Sequence, residues 1–429
     1  MELAINNGLV ALPGKTEHVN IGIENGKIVA IKKSPIQAEK TINASGKIVL
    51  PGLVDCHVHL RDPGYPKKED FYTGTRAACA GGVTTVIDMP NTNPQTRTIQ
   101  ALNDKIKLAE KKSAIDFALH FGAKDNAKEL AWIPNSIKFY LSSAKELLLT
   151  QEEARELSKA ANPSSVKCYH AEDQAMIAKL SGRYKDNEKP EMHGKMRAAE
   201  AAAKALDFVE TLPGKKHICH VSTALELSKL KTATAETAPH YLFLTDKDMK
   251  EKGNYAKINP PLRKDKDRLA LWDALGTKIQ CIATDHAPHT MEEKEDDYPI
   301  APSGVPGLES MLPLLLSKAG KLISINQIAE LTSANPARIF SLPTKGSIEI
   351  GKDADFVIAD TKKKEKIPIE TKCGWNLFED WKLPVVEKTI SRGMVVWDGQ
   401  FTGKKGAGNY LYSKPVKPSQ SSLAPEEDA

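Results

Sequence analysis

The spacing of apolar positions changes twice along the chain. The N-terminal region holds short apolar runs separated by Asn-Gly pairs at 7–8 and 25–26, which is typical of β-strands joined by tight turns. Beyond residue 50, apolar runs of strand length alternate with amphipathic segments such as 144–161, and this predicts alternating strands and helices. Short apolar runs return after residue 343. The pattern therefore predicts a central α/β region flanked by β-structure from both ends of the chain.

Eight apolar runs of the middle region are predicted to be strands, at 49–57, 83–89, 115–121, 136–141, 165–170, 216–221, 234–240 and 279–285. Helical patterns lie between most of them, and helices are also predicted at 191–211, 307–319 and 324–340. Eight strands alternating with helices predict an α/β fold, a (β/α)8 TIM-like barrel. The alternative is a doubly wound open sheet. It would need a glycine-rich phosphate turn after its first strand, where this chain has His57 and His59.

These boundaries divide the chain into four parts. We expect residues 1–50 and 343–412 to form the N-terminal and C-terminal parts of one small β-sandwich domain, and residues 51–342 to form a metal-dependent β/α barrel. The C-terminal strands are predicted at 346–351, 355–359, 385–390 and 394–397. Residues 413–429 are rich in Pro, Ser and acidic side chains, and we expect them to be a tail.

Composition and charge exclude several classes of function. The 429 residues include 60 basic and 55 acidic side chains, for a net charge of +5, and no basic stripe alternates with aromatics, so no nucleic-acid partner is expected. No apolar stretch is long enough to predict a membrane span, and the first residues lack the pattern of a signal peptide. The six cysteines are scattered without a Cys-x-x-Cys pair, which fits a reducing cytoplasm.

Two histidines close the first predicted barrel strand. His57 and His59 lie two residues apart at the end of an apolar run, and on a strand such residues point to the same side. Both imidazoles would then face one point, where a metal ion can bind. A lone His-x-His pair is weak evidence for a metal site, so the hypothesis needs further ligands.

Further candidate ligands lie on other predicted strands. Lys138 is on the fourth strand, His170 and His220 end the fifth and sixth, and Asp285 ends the eighth. Barrel enzymes place their active sites at this end of the strands. Each residue alone has an ordinary explanation, such as a surface histidine or a lysine that reaches solvent. Together they are costly to bury unless they coordinate metal.

The lysine on the fourth strand predicts a specific chemistry. Cations beside Lys138 should lower its pKa, and a neutral amine reacts with carbon dioxide to give an anionic carbamate able to bridge two metal ions. Imidazole and oxygen ligands suit zinc, with manganese and cobalt as alternatives. Asp285 would carry a proton in a hydrolysis at a carbonyl group. The expected ligands are His57, His59, Lys138 and Asp285 for one ion, and Lys138, His170 and His220 for the other.

With these residues in place, the chain resembles the amidohydrolase superfamily. It is most similar to the dihydroorotase family, of the type also found as a domain of the animal trifunctional pyrimidine enzyme. The resemblance covers about residues 45 to 400. The motifs that carry it, in family order, are His57-Val-His-Leu-Arg-Asp-Pro-Gly, Asp88-Met-Pro-Asn-Thr-Asn-Pro, Ile137-Lys-Phe-Tyr-Leu, His217-Ile-Cys-His-Val-Ser-Thr, Glu236-Thr-Ala-Pro-His and Thr284-Asp-His-Ala-Pro-His.

The resemblance implies a barrel with a flanking β-sandwich, a carboxylated lysine and two zinc ions. It also implies reversible cyclisation of N-carbamoyl-L-aspartate to L-dihydroorotate, a step of pyrimidine (UMP) biosynthesis, by a cytoplasmic homodimer. Matched by motif, Arg61, Asn91 and His289 would grip the substrate carboxylate, and an Arg fork suits a carboxylate. Asn259 and the loop from Pro302 to Gly304 would contact the pyrimidine ring.

Two features have alternative interpretations. The resemblance offers Cys219 and Glu236 as ligands of a third ion, but Cys219 alternates with His220 and is expected to face away from it, so a structural cysteine is favoured. The charged loop 290–303 is either a mobile lid over the site or a plain surface loop.

Other functions are alternatives to the dihydroorotase activity that the resemblance implies. Allantoinase and dihydropyrimidinase (hydantoinase) would share the barrel and the metals, but a hydantoinase needs no carboxylate clamp, so Arg61 favours dihydroorotase. A non-catalytic scaffold of the same fold would be expected to lose metal ligands, and every expected ligand type is present in this chain.

Overall fold

The computed structural model describes residues 1–184 and 189–413. The predicted tail therefore lies outside the described residues, except for Ser413. The strands are β1 Leu3–Leu12, β2 Lys15–Glu24, β3 Lys27–Lys32, β4 Lys40–Asn43, β5 Ile48–Pro51, β6 Leu53–Val58, β7 Val83–Asp88, β8 Asp116–Leu119, β9 Phe121–Gly122, β10 Ser136–Tyr140, β11 Val166–His170, β12 Lys215–Ile218, β13 Thr234–Thr237, β14 Cys281–Ile282, β15 Phe356–Glu365, β16 Leu383–Ser391 and β17 Met394–Asp398.

Helices cover much of the chain between the central strands. The α-helices are α1 Phe71–Ala80, α2 Ile99–Lys112, α3 Ala127–Leu130, α4 Gln151–Ala160, α5 Gln174–Tyr184, α6 Pro190–Met196, α7 Ala199–Glu210, α8 Ala224–Lys229, α9 Pro239–Phe243, α10 Asp246–Lys252, α11 Asp265–Ala274, α12 Met291–Glu295, α13 Met311–Ser317, α14 Ile325–Ala329 and α15 Asn335–Ile339. Among the described residues, no helix combines the length and apolar character needed to cross a bilayer.

Parallel strands β6 to β14 form the wall of a barrel. The strands pair in chain order, with β8 and β9 as two halves of the third barrel strand, interrupted at His120. A parallel bridge between Val58 and His286 joins the last strand to the first. Because all strands run in one direction, their carboxyl ends meet at the same rim.

Both ends of the chain contribute to one further sheet. Its strand order is β17-β16-β15-β5-β1-β2-β3, with β4 paired to β1. A separate apolar cluster under this sheet includes Ile21, Ile28 and Phe356. The predicted α/β barrel with a β domain built from both termini is confirmed.

Several predicted boundaries in the barrel are wrong. The strand predicted at 234–240 ends at Thr237, because Pro239 has no N–H to donate and instead begins α9. Helix α4 begins at Gln151 rather than at 144, since Thr150 caps it. The helix predicted at 191–211 is two helices, interrupted at 197–198.

The β domain also differs from the prediction at two places. Asn7 at φ 66° makes a bulge inside β1 rather than a hairpin turn, and the hairpin turn lies between Leu12 and Lys15. The turn at Asn25 and Gly26 is confirmed, with both residues at positive φ. No strand forms at 346–351, although Ile348 packs into the apolar cluster.

A buried lysine connects the barrel to the β domain. Lys345 is 1% exposed at its side chain, and its Nζ lies 2.5 Å from Asp116 Oδ2, 2.7 Å from Asp355 Oδ2 and 3.1 Å from Asp353 Oδ2. Asp116 begins barrel strand β8, whereas Asp353 and Asp355 precede β15. Burial alone would lower the pKa of Lys345. The three carboxylates raise it by a larger amount, so the pKa lies above its ordinary value. The ammonium therefore stays charged and fixes the junction.

Replacing this lysine tests its role in stability. Lys345→Met should lower the free energy of unfolding by about 3–5 kcal/mol, because three carboxylates lose the buried ammonium that they share. Chemical denaturation measures the change. The matched control is Lys366→Met, whose exposed pair with Asp380 should contribute little. Equal stability of the Lys345 variant and the wild type would contradict the assignment.

Candidate active site

Side chains from five barrel strands converge on one cavity at the carboxyl-end rim. The cavity has a volume of about 230 Å³, below the range of about 300–1,000 Å³ found for drug-sized ligands, which suits a small substrate. All six predicted metal ligands border it. The lining residues are His57, His59, Arg61, Asn91, Lys138, Tyr140, Ser143, Ala144, His170, His220, Ile258, Asn259, Asp285, Ala287, Ser303 and Gly304.

The spacing of the first candidate ligand group fits a metal ion. Asp285 Oδ1 lies 3.3 Å from His57 Nε2 and 3.3 Å from His59 Nε2. Ligand atoms about 2.0–2.1 Å from a tetrahedral zinc ion are about 3.3 Å apart. His57, His220 and Asp285 also place ligand atoms within 4.8 Å of one another. These donors can therefore hold an ion without rearrangement of the backbone.

The second candidate group is a pair of imidazoles. His220 Nε2 lies 2.8 Å from His170 Nδ1, somewhat closer than two ligands of one ion. His220 Nδ1 is buried and has no hydrogen-bond partner within the described part of the chain. Both residues line the cavity, so the two imidazoles are candidate ligands of a second ion.

Protein acceptors fix three of the four imidazoles from behind. Glu236 Oε1 accepts from His57 Nδ1, and Asn91 Oδ1 accepts from His59 Nδ1 at 2.7 Å. Glu172 Oε2 accepts from His170 Nε2 at 2.9 Å. Each contact fixes the tautomer and turns the opposite ring nitrogen toward the cavity, as second-layer partners of metal-binding histidines do.

Positive φ angles orient three of the rim residues. Arg61 has φ 62°, His220 has φ 40° and Asp285 has φ 48°. Non-glycine residues rarely adopt this region, and it concentrates at functional sites. Here it turns each side chain out of strand alternation and toward the cavity.

Burial keeps most of the imidazoles neutral. It lowers the pKa of His59 to about 4, and it lowers the pKa values of His170 and His220 below their ordinary range. A neutral imidazole is the form that binds a metal ion. These three imidazoles are therefore uncharged at neutral pH, and each has one ring nitrogen able to bind a metal ion.

His57 and Asp285 behave as an ion pair. Burial and the charge of Lys138 each lower the pKa of His57. The carboxylates of Asp285 and Glu236 raise it by a larger amount, so that it reaches about 10. Burial raises the pKa of Asp285, yet the charge of His57 and the nearby His59 imidazole bring it well below its usual range. The Asp285 carboxylate is therefore ionised. A proton or a metal ion is stabilised between it and the His57 imidazole.

The surroundings of Lys138 differ from the prediction in the direction of Cys219. Its Nζ lies 2.8 Å from Cys219 Sγ, so the expectation that Cys219 faces away from the site is wrong, because the positive φ of His220 breaks the strand alternation. Burial lowers the pKa of Lys138, but Cys219 and Glu236 raise it above its ordinary value. The lowering expected from bound metal ions stays a prediction.

Cys219 and Glu236 lie directly beneath the first ligand group. With His57 they place ligand atoms within 4.8 Å of one another. The carboxylate of Glu236 already accepts from His57, from His217 Nε2 at 3.0 Å and from Cys56 Sγ at 3.2 Å. These hydrogen bonds satisfy it without an ion, and the third-ion interpretation stays a prediction.

The predicted substrate clamp is only partly in the cavity wall. Arg61 lines the cavity, and its guanidinium donates to the Pro288 carbonyl at 3.1 Å and lies 3.0 Å from His289 Nε2. His289 is buried behind Arg61, with Lys68 Nζ 3.1 Å from its Nδ1. His289 and Pro302 are not among the lining residues. His289 contacts the arginine instead, and the Pro302 carbonyl accepts from Lys294 Nζ at 2.9 Å.

Sequence reasoning missed the residues that support His170. Glu172 is fully buried, and its carboxylate pairs with the Arg197 guanidinium, which also donates to Ser143 Oγ at 2.6 Å. Burial raises the pKa of Glu172, but Arg197 and His170 hold it well below the usual range. The His170-x-Glu172 spacing was a usable signal, whereas nothing in the local sequence places Arg197 beside it.

Comparison with known proteins gives a consistent result. A model of the amidohydrolase family matches residues 48–396. The chain is 36% identical to a dihydroorotase from Methanosarcina acetivorans, over 96% of this chain and 95% of that protein. It is 38% identical to a dihydroorotase from Pyrococcus furiosus, over 96% of this chain and 97% of that protein.

The fold is also similar to that of hydantoinases whose structures have been solved. An L-hydantoinase (dihydropyrimidinase) from Arthrobacter aurescens is similar with a TM-score of 0.91 and 26% identity, over 96% of this chain and all of that one. A D-hydantoinase is similar with a TM-score of 0.89 and 27% identity, over 98% of this chain and 100% of that chain.

The carboxylate behind His170 gives a prediction about metal affinity. Glu172→Gln should weaken metal binding by about 10–100-fold, because the imidazole loses its charged second-layer partner. Competition with a chelator measures the affinity. The matched control is Asp173→Asn, on the neighbouring carboxylate, which pairs with Lys204 at 2.9 Å and should bind metal as the wild type does. Equal affinity in both variants would count against the role of Glu172.

Proposed function

The chain belongs to the amidohydrolase family, and from this premise we infer that it is a cyclic amide hydrolase that interconverts L-dihydroorotate and N-carbamoyl-L-aspartate. Curated relatives at 36% and 38% identity over most of the chain are dihydroorotases. The observation that carries the substrate assignment is a half-buried arginine, Arg61, which lines the same small cavity as the ligand cluster. The reaction would be a step of pyrimidine synthesis.

The proposal includes two zinc ions at the rim. His57, His59 and Asp285 would hold one, His170 and His220 would hold the other, and Lys138, carboxylated at its Nζ, would join both. The imidazole and oxygen donors fit zinc, and the 3.3 Å spacing about Asp285 supports the first site. When bound, such ions polarise a carbonyl group and make water acidic enough to react at neutral pH.

Asp285 would move the proton. Its carboxylate is ionised and borders the cavity, so it can accept a proton from the attacking water and then deliver it to the ring nitrogen that leaves. In the cyclisation direction the same carboxylate takes a proton from the ureido nitrogen. The hydrogen bond from the Thr284 backbone to Asp55, at 3.1 Å, holds the strand end on which Asp285 lies.

The remaining lining residues would orient the substrate. The Arg61 fork matches the substrate carboxylate, and Asn91 offers its amide N–H groups because its Oδ1 is already occupied by His59. Asn259, Ser303 and Gly304 also line the cavity, and the ring's own amide groups would bind to them. These contacts fix the scissile carbonyl relative to the metal ligands.

A second candidate function is hydantoinase or dihydropyrimidinase activity, which the solved structures of similar shape favour by name. Those substrates are rings that lack a carboxylate. Such a ring has no carboxylate for the Arg61 guanidinium to bind, so the charge-assisted contact would be lost. Arg61 therefore favours dihydroorotate over these rings. Allantoinase stays the nearest alternative, and substrate assays separate them.

Removing the bridging lysine tests the metal arrangement. Lys138→Ala should lower the rate of dihydroorotate ring opening by about 10³-fold or more, because both sites lose a shared ligand. Loss of ultraviolet absorbance of the ring follows the reaction. Short carboxylic acids should restore part of the activity, whereas Asp285→Ala, the control, should not be restored by them. Normal turnover in the lysine variant would exclude the bridging role.

Replacing the arginine tests the substrate assignment. Arg61→Met should lower kcat/KM for dihydroorotate by about 10²-fold, because a charge-assisted bidentate contact is lost. Dihydrouracil, which lacks the carboxylate, is the matched substrate, and its weak turnover should not fall in the same variant. Steady-state kinetics with both substrates measures the difference. An equal loss on both rings would show that Arg61 does not recognise the carboxylate.

A further inference from the structure

A buried lysine lies on the loop that the sequence left open as a lid or a surface loop. Helix α12 forms within this loop, and Lys294 of that helix is 1% exposed. Its Nζ donates to three backbone carbonyls: those of Asn254 at 2.9 Å, Pro302 at 2.9 Å and Lys257 at 3.3 Å. One ammonium group thus uses all of its donors on main-chain oxygens.

Two of these carbonyls belong to the segments that line one wall of the cavity. Lys257 immediately precedes Ile258 and Asn259, and Pro302 immediately precedes Ser303 and Gly304. The two segments also contact each other directly, since the Gly304 N–H donates to the Lys257 carbonyl at 2.9 Å. Lys294 therefore joins both segments from behind the cavity wall.

Helix α12 also contacts the residues behind Arg61, the proposed binding partner of the substrate carboxylate. Glu293, the neighbour of Lys294, lies 2.8 Å from Lys68 Nζ and 3.6 Å from His289 Nδ1. His289 in turn supports Arg61. Contacts of this kind hold the loop against the rim on two sides, which is the opposite of what a freely opening lid requires.

We propose that Lys294 is a positioning residue that sets the distance between the Asn259 and Gly304 sides of the substrate wall. The inference rests on the proposed function, because it assigns that wall to the substrate ring. Loop 290–303 is then a fixed part of the binding site. Lys294 touches neither the substrate nor the metal ligands, and it acts through the two segments whose carbonyls it holds.

The chemistry of the site supports this role. Burial lowers the pKa of Lys294 to about 7, and the nearby cations Lys257 and Arg61 lower it as well, while Cys373 and Glu293 oppose them. Burying an amine in such a place is unfavourable compared with burying an apolar side chain of similar length. The three carbonyl contacts are what an apolar side chain at this position cannot supply.

The test compares two buried lysines with different locations. Lys294→Met keeps the length of the side chain and removes its donors. Lys167→Met is the matched control, since Lys167 is 2% exposed and donates to the Pro213 carbonyl at 2.9 Å near the amino end of its strand, away from the cavity. Lys294→Gln, which keeps N–H donors on a shorter side chain, is the second variant. The readouts are KM and kcat for dihydroorotate, and hydrogen exchange of the Gly304 amide.

For Lys294→Met we expect KM to rise about tenfold, the effect of one charge-assisted hydrogen bond, with kcat changed less than about threefold. Exchange of the Gly304 amide should become faster, and Lys294→Gln should show smaller changes in the same direction. Lys167→Met should change neither readout. Wild-type KM and exchange in Lys294→Met, or the same KM rise in Lys167→Met, would overturn the proposal. If the wild type does not open dihydroorotate, the proposed function fails, and the exchange comparison alone decides the role of Lys294.

Discussion

The burial of many ionisable side chains in one small cavity is the constraint on which the rest of the structure depends. Four imidazoles, the Asp285 carboxylate and the Lys138 ammonium all border the same space, and unpaired charges there would be very costly. A second layer offsets much of this cost. Glu236 and Glu172 accept from His57 and His170, which fixes the orientation of both rings.

The barrel supplies this arrangement through the common direction of its strands. Residues far apart in the chain meet because most of them lie at or just beyond a strand end and Lys138 lies within β10. Positive φ at His220 and Asp285 turns their side chains inward. The β domain contributes from outside, since Lys345 joins both parts through three carboxylates. Rigid strands hold the ligands, and loops such as 290–303 complete the wall, so the chemistry and the selectivity come from different parts of the fold.

Much of this site was predictable from the sequence, because strand ends are marked by apolar runs and the ligands follow them directly. His57, His59, Lys138 and His170 required only the strand register. Cys219 was assigned the wrong direction, since a positive φ at the next residue is not visible in a sequence. The pairing of Glu172 with Arg197, and of Lys294 with three carbonyls, depends on long-range packing for which no local pattern exists. The predicted boundaries of strands and helices are wrong where a proline or a capping residue begins a new element inside an apolar run, as at Pro239.

The central claim is that the rim residues hold two metal ions joined by a modified lysine. The most direct measurement is an anomalous difference map from crystals of the zinc-loaded protein, recorded above and below the zinc absorption edge. The account predicts two peaks, one between His57, His59 and Asp285 and one between His170 and His220, with density beyond Nζ of Lys138 reaching both. A map without peaks at these positions, or with an unmodified Lys138 side chain, would contradict it.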